Sequence, residues 1–123
     1  MKLCITSEGP SLESKVDPRF GRCRCFIIVD TDTMEFNAPE NRQAGASGGA
    51  GIQAGQFMSS NGVKAVLTGN VGPNAFKTLL AAGIDIFTGI SGTVRDALKR
   101  YKEENLPRTE APTADPKSGV GVS

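Results

Sequence analysis

The sequence predicts a single α/β domain built on a mixed five-stranded sheet with flanking helices, and three observations lead there. Four short runs, Leu3 to Ile5, Cys25 to Val29, Lys64 to Thr68 and Ile84 to Phe87, are rich in aliphatic and aromatic residues and have strand length rather than helix length. From Gly49 onward such runs alternate with segments of helical period, the pattern that makes parallel strands with right-handed crossovers. The chain has 123 residues, enough for one core without disulfides or a structural metal.

Leu3-Cys4-Ile5, between Lys2 and Thr6, reads as a strand buried on both faces, with Cys4 a small core residue. Ser7 to Arg22 is polar and broken by Gly9, Pro10, Pro18 and Gly21, an unusual length for a connection in a small domain and therefore read as functional. Cys25 to Val29 is the second strand. Asp30 to Thr33 turns the chain, and Met34 to Ala38 returns as a weaker third strand to close a hairpin. The glycine-rich segment Gly45 to Gly51 opens a helix that runs to about Ser60, where Asn61-Gly62 supplies a left-handed cap. After the strand Lys64 to Thr68, the loop Gly69 to Gly72 leads into a helix with Pro73 in its first turn, where a missing N–H costs nothing. Phe76, Leu79 and Leu80 give that helix an apolar face, and Gly83 ends it before the strand Ile84 to Phe87. A third helix starts near Thr93 as N-cap and places Val94, Ala97, Leu98 and Tyr101 on one side. These elements make a domain over residues 1–105. Residues 106–123, with Pro107, Pro112 and Pro116 among small polar residues, are expected to be a disordered tail.

If the second strand alone runs antiparallel, the other four end on one edge of the sheet. The loops leaving that edge are then Ser7 to Arg22, Pro39 to Gly51, Gly69 to Gly72 and Gly89 to Gly92. Ligands of open α/β sheets bind at this carboxyl edge, where helix N-termini present N–H groups and partial positive charge. Two or three helix N-termini are expected to line the cleft.

Net charge is +1, so any affinity for anions has to be local. Lys15 to Cys25 carries Lys15, Arg19, Arg22 and Arg24 against Asp17 alone, and Asn41 to Ile84 holds no acidic residue. Guanidinium groups recognise anions through a rigid fork of donors. Gly48-Gly49-Ala50-Gly51 leaves backbone N–H groups open to a ligand. Gly49-x-Gly51-x-x-Ala54 imitates a dinucleotide fingerprint, but no acidic residue follows at ribose-binding distance, and the phosphate-loop lysine pattern is missing. Three cysteines and no histidine exclude the common zinc patterns and cannot close a four-thiolate iron–sulfur site within one chain. The odd cysteine count and the lack of an apolar leader point to free thiols in a reducing cytoplasm, and no apolar run has transmembrane length. Were the second strand to begin at Cys23, Cys23 and Cys25 would share a face and could serve a soft metal. The competing reading makes Cys25 a core residue and Cys23 an incidental thiol at a loop end.

Val16-Asp17-Pro18-Arg19-Phe20-Gly21-Arg22-Cys23, Phe26 to Asp30, Ser47 to Gln53 and Leu67 to Phe76 together resemble the dinitrogenase iron-molybdenum cofactor family, in order, over residues 1 to about 102. The resemblance implies a ribonuclease H-like fold and a role in binding or carrying a molybdenum-containing iron–sulfur cofactor or its precursor. For small stand-alone members it implies a molybdenum–copper sulfide cluster held without a covalent anchor. Carried onto this chain, it assigns charge and thiolate to Arg19, Arg22, Cys23 and Arg24, with Cys23 the candidate metal ligand. Gly48, Gly49, Gly51 and Asn70 become N–H and amide donors to cluster sulfides. Some relatives use a histidine near the cofactor, and this chain has none. The expectation is a non-enzymatic cytoplasmic carrier of an anionic metal–sulfur cluster, with a cluster donor or acceptor protein as partner and neither nucleic acid nor membrane. The competing classes are a protein-interaction module using the same cleft and a ribonuclease H-like nuclease. The nuclease would need clustered carboxylates for divalent ions, and the strands Leu3 to Ile5 and Val66 to Thr68 and the helices beside the latter carry none.

Overall fold

The computed structural model describes residues 1–42, 44–45 and 49–113. Five strands form one sheet: β1 (Lys2–Ser7), β2 (Cys25–Asp30), β3 (Phe36–Asn37), β4 (Val63–Leu67) and β5 (Asp85–Phe87), in the order β3-β2-β1-β4-β5. β2 is antiparallel to both of its neighbours, whereas β1, β4 and β5 run parallel. This is the mixed α/β sheet expected, and it places the ends of β1, β3, β4 and β5 and the start of β2 on one edge.

β1, β2, β4 and β5 are buried on both faces, whereas both residues of β3 are exposed, and the period-two alternation sorts the buried residues into two cores. Cys4, Phe26, Ile28, Val66 and Ile86 face the helices α1 (Ala50–Ser60) and α2 (Pro73–Ala81), joining Ala54, Met58, Ala75, Phe76 and Leu79. Leu3, Ile5, Ile27, Val29, Ala65, Leu67 and Phe87 face α3 (Val94–Glu103), joining Val94, Ala97 and Leu98. Leu3, Ile5, Ile27 and Leu67 are fully buried. Each such burial contributes about 1.5–3 kcal/mol, so the three central strands β2, β1 and β4 carry a large share of the stability of the domain. No helix is long and apolar enough to cross a membrane among the described residues.

Two expectations change in detail. The third strand is only two residues long because the Asp30 carboxylate gathers the N–H groups of Asp32 and Thr33, and Met34 completes the turn at φ +66 before the chain can extend. Leu80, placed on the apolar face of α2, is 61% exposed. Of the segment 106–123, expected as a disordered tail, residues 114–123 lie outside the described residues, and within 106–113 two threonines bond to the rest of the domain. Thr109 N–H donates to the Ile86 carbonyl, and its hydroxyl oxygen accepts from Thr88 N–H. Thr113 N–H donates to the Val71 carbonyl, while Val71 N–H donates to the Thr113 hydroxyl oxygen. Threonine hydroxyls at both places thus satisfy backbone groups of the β5 side of the fold, which the prolines nearby could not do.

The long connection after β1 is fastened rather than free. Glu8 N–H bonds to the Lys15 carbonyl and Asp17 N–H to the Thr6 carbonyl, folding the segment back on itself. Val16 N–H donates to Gly92, and the first two N–H groups of α3, on Val94 and Arg95, donate to the Ser14 and Leu12 carbonyls. Farther on, Asn70 N–H donates to the Pro18 carbonyl at 2.7 Å, and Phe20 N–H to the Asn70 carbonyl at 3.2 Å. This approach requires glycine at position 69, where a Cβ would lie 2.6 Å from Pro18 Cα. Gly69→Ala is therefore expected to destabilise the domain by about 1–3 kcal/mol through overpacking against backbone, read as a lower denaturation midpoint with an unchanged slope.

Candidate functional site

The carboxyl edge of the sheet brings together the loop from Asp17 to Arg24, the N-termini of α1 and α2, and the Gly69–Gly72 turn. The loop meets α1 at Gly21, whose φ of +93 only glycine adopts without strain, and where a Cβ would sit 3.0 Å from Gly51 Cα. A Cβ on Gly51 would in turn lie 3.1 Å from the Ala75 Cβ in the first turn of α2. At this edge the loop, the first helix and the second helix therefore meet through Gly21, Gly51 and Ala75.

The three helix N-termini are not equivalent. α3 is closed: Thr93 and Asp96 form a capping box, and the Val94 and Arg95 N–H groups bond to the loop carbonyls named above. α1 follows Gly49 at φ +76 and α2 follows Gly72, and neither has a side-chain cap or an acidic residue in its first turn. Two helix ends with uncancelled partial positive charge thus share this edge. Pro73 removes one N–H from α2, which leaves those of Asn74 and Ala75 in its first turn.

The expected site residues fall into distinct environments. Arg19 is exposed along its side chain (63%) and pairs with the buried carboxylate of Asp17; its backbone bridges to Asn70. Arg22 is half-buried and donates from Nη1 to the Ala44 carbonyl at 2.9 Å, tying the first loop to the one before α1. Arg24 is exposed just ahead of β2. Asn70 is exposed, but its backbone N–H is already used on Pro18, so only the side-chain amide is available as a donor. Gly49 and Gly51 lie at the start of α1. Gly48 lies outside the described residues.

Cys23, expected as the candidate metal ligand, is not at the surface. β2 begins at Cys25, so the shared face that a start at Cys23 would have produced does not form. Cys23 is fully buried in the α1/α2 core with Cys4, Phe20 and Phe26, beneath Asn41, whose Nδ2 lies 3.9 Å from Sγ and donates to the Gly21 and Cys23 carbonyls. Burial first, and the nearby Asp17 carboxylate second, push its thiol up to about 12. Burial likewise raises Cys4 well above the ordinary range, and raises Cys25 against the lowering effect of Arg24. All three cysteines are unpaired thiols, and no group of three or more metal-ligating side chains exists among the described residues.

The donor set therefore fits an anion taken up by N–H groups and guanidinium, not a metal gripped by thiolates. Sulfide-covered clusters present that kind of anionic acceptor surface, so such a group suits the edge as cargo. Asp17, which pairs with Arg19 and raises the Cys23 thiol, is the residue that sequence reasoning missed. The only signal for it was its place two residues ahead of the first arginine.

Because folding raises Cys23 from 9.0 to about 12, its contribution to stability is complete below pH 9 and is lost as pH climbs toward the folded value. The unfolding free energy is expected to fall across that window, and less steeply in Cys23→Ala, as measured by denaturant titration at stepped pH. At pH 8 the native thiol is expected to react with iodoacetamide far more slowly than the unfolded chain.

Residues 1–104 match the family described as dinitrogenase iron-molybdenum cofactor. An uncharacterized protein of Methanocaldococcus jannaschii is 27% identical over 104 residues, spanning 82% of this chain and 88% of its own. The apo form of the orange protein from Desulfovibrio gigas superposes with a TM-score of 0.88 at 41% identity, over 92% of this chain and 96% of that one. A putative NifB protein from Thermotoga, described as a member of the DUF35 family, superposes with a TM-score of 0.78 at 36% identity, over 92% and 98%. The match runs through every strand and helix of the domain, and the chain belongs to the dinitrogenase iron-molybdenum cofactor family.

Proposed function

We propose that this protein is a non-catalytic carrier of an anionic, molybdenum-containing metal–sulfur cluster, held at the carboxyl edge of the sheet. The observation that carries this reading is the pairing of two uncapped helix N-termini, α1 and α2, with an arginine-bearing loop that reaches them through Gly21 and Gly51. The family supports a cofactor of the iron-molybdenum class or its precursor. Similarity to the orange protein supports a small stand-alone binder, for which a molybdenum–copper sulfide cluster is the matching cargo.

In this reading the cluster is cargo, delivered by one protein and passed to another in the cytoplasm. Arg19 and Arg24 offer charge at the mouth, Arg22 braces the loop, and the first turns of α1 and α2 donate N–H groups to bridging or terminal sulfides. Capture by hydrogen bonds leaves no metal–protein bond to break on release, which suits transfer. Each charge-assisted hydrogen bond to such a group contributes about 1.5–3 kcal/mol. A few of them are enough to retain a cluster without a thiolate.

Anaerobic reconstitution with tetrathiomolybdate, alone and with copper or iron, tests this directly. The expected product keeps stoichiometric molybdenum and visible sulfide-to-metal charge-transfer bands through desalting, and its metal ratio identifies the cargo. The combined Arg19→Gln, Arg22→Gln and Arg24→Gln variant is expected to bind at least about tenfold more weakly. Wild-type affinity in that variant, or a colourless and metal-free wild type, contradicts the carrier reading. The second of those results moves the assignment to a protein-interaction module.

A further inference from the structure

Among the described residues, Asp17 is the only charged side chain that is buried. A buried carboxylate is unfavourable unless it is paired and hydrogen-bonded. Here the partner lies two residues away. Oδ1 accepts from the Arg19 backbone N–H at 3.0 Å and from Nε at 3.2 Å, and Oδ2 lies 3.4 Å from Nη2. Asp17 is itself fixed from below, since its N–H bonds to the Thr6 carbonyl and its own carbonyl lies 2.7 Å from the Thr6 hydroxyl. Thr6 and Thr68, at the ends of β1 and β4, join hydroxyl to hydroxyl at 2.8 Å. A continuous chain of contacts thus runs from the centre of the sheet to one guanidinium.

The asymmetry of this pair is what points to function. The carboxylate side chain is 4% exposed and the arginine side chain 63% exposed, so the buried partner grips one side of the exposed one. Nε and one N–H of Nη2 are engaged, which leaves Nη1 and the second N–H of Nη2 for a ligand. A solvated arginine otherwise spreads over many rotamers, and holding it in place removes an ordering cost from ligand capture.

We propose that Asp17 is a positioning residue for thiometalate capture, its buried carboxylate setting the Arg19 guanidinium so that the remaining N–H donors face the cluster edge. This rests on the carrier reading above and deepens it. The proposal has a distinctive sign. By charge alone, removing an acidic group beside an anion site tightens binding; by positioning, it weakens binding.

Asp17→Asn is the variant of choice, because it keeps an oxygen to accept from the Arg19 backbone N–H and has no charge to bury. Tetrathiomolybdate affinity is measured anaerobically for the wild type, Asp17→Asn, Arg19→Gln and the double variant. The expected result is about a tenfold loss in Asp17→Asn, a similar loss in Arg19→Gln, and no further loss in the double variant, since Asp17 acts through Arg19. Arg19→Lys, which keeps the charge and the native Asp17, is expected to lose affinity as well, and it reports on the same geometry if Asp17→Asn fails to fold. Independently of ligand, the Arg19 Nε–H signal is expected to exchange slowly with solvent in the wild type and quickly in Asp17→Asn. Unchanged or tighter binding by Asp17→Asn, or additive losses in the double variant, overturns the proposal while leaving the carrier reading intact. Failure of the wild type to bind tetrathiomolybdate overturns the carrier reading and this proposal with it.

Discussion

The backbone contact between Pro18 and the Gly69-Asn70 turn is the constraint on which the candidate site depends. Two hydrogen bonds, Asn70 N–H to Pro18 and Phe20 N–H to Asn70, pull the loop after β1 onto the turn after β4. They form only because position 69 has no side chain to keep the two backbones apart. Once Pro18 is docked, Phe20 drops into the α1/α2 core and Gly21 comes against Gly51. The backbone between Arg19 and Arg22 is thereby held against the start of α1. One glycine and two hydrogen bonds thus fix a long polar connection against the carboxyl edge of the sheet.

Charge is distributed to match. α3, whose N-terminus also lies at this edge, spends its N–H groups on the same loop and on Thr93, so it serves as a clamp. α1 and α2 keep their first turns uncapped by side chains and free of acids. One helix thus holds the loop, and the two left uncapped are those the proposed carrier role uses. The buried thiols fit this picture. Their protonated state removes the negative charge that a thiolate would place beneath an anion site, and Asp17, the one buried carboxylate among the described residues, is covered by Arg19. In the proposed carrier role, the same arrangement offers capture by preorganised donors and release without breaking a metal–sulfur bond to the protein.

Much of the fold was legible because burial on both faces writes continuous apolar runs, as in β1 and β2, and because Pro73, Gly83 and Thr93 mark helix ends by local chemistry alone. The convergence of the loops followed from strand direction, since one antiparallel strand leaves the other four ending together. The residues that escaped depend on contacts distant in sequence. Cys23 reads as a loop-end thiol, and only the packing of Phe20 and Asn41 around it reveals a core position. Prolines and small polar residues made 106–113 resemble disorder, whereas Thr109 and Thr113 bond to Ile86, Thr88 and Val71 of the sheet side. Asp17 looked like a counter-charge in a basic stretch, and its burial is set by Thr6 on β1.

The central claim is that backbone N–H groups of α1 and α2, and not those of α3, receive the anion. An amide proton and nitrogen chemical-shift titration of the isotope-labelled protein with tetrathiomolybdate reports on every one of these groups at once. The account predicts the largest shifts at Gly51, Ile52, Asn74 and Ala75, with Val94 and Arg95 unmoved because loop carbonyls already occupy them. Shifts concentrated at α3, or on the β2–β3 hairpin at the far edge, would contradict it.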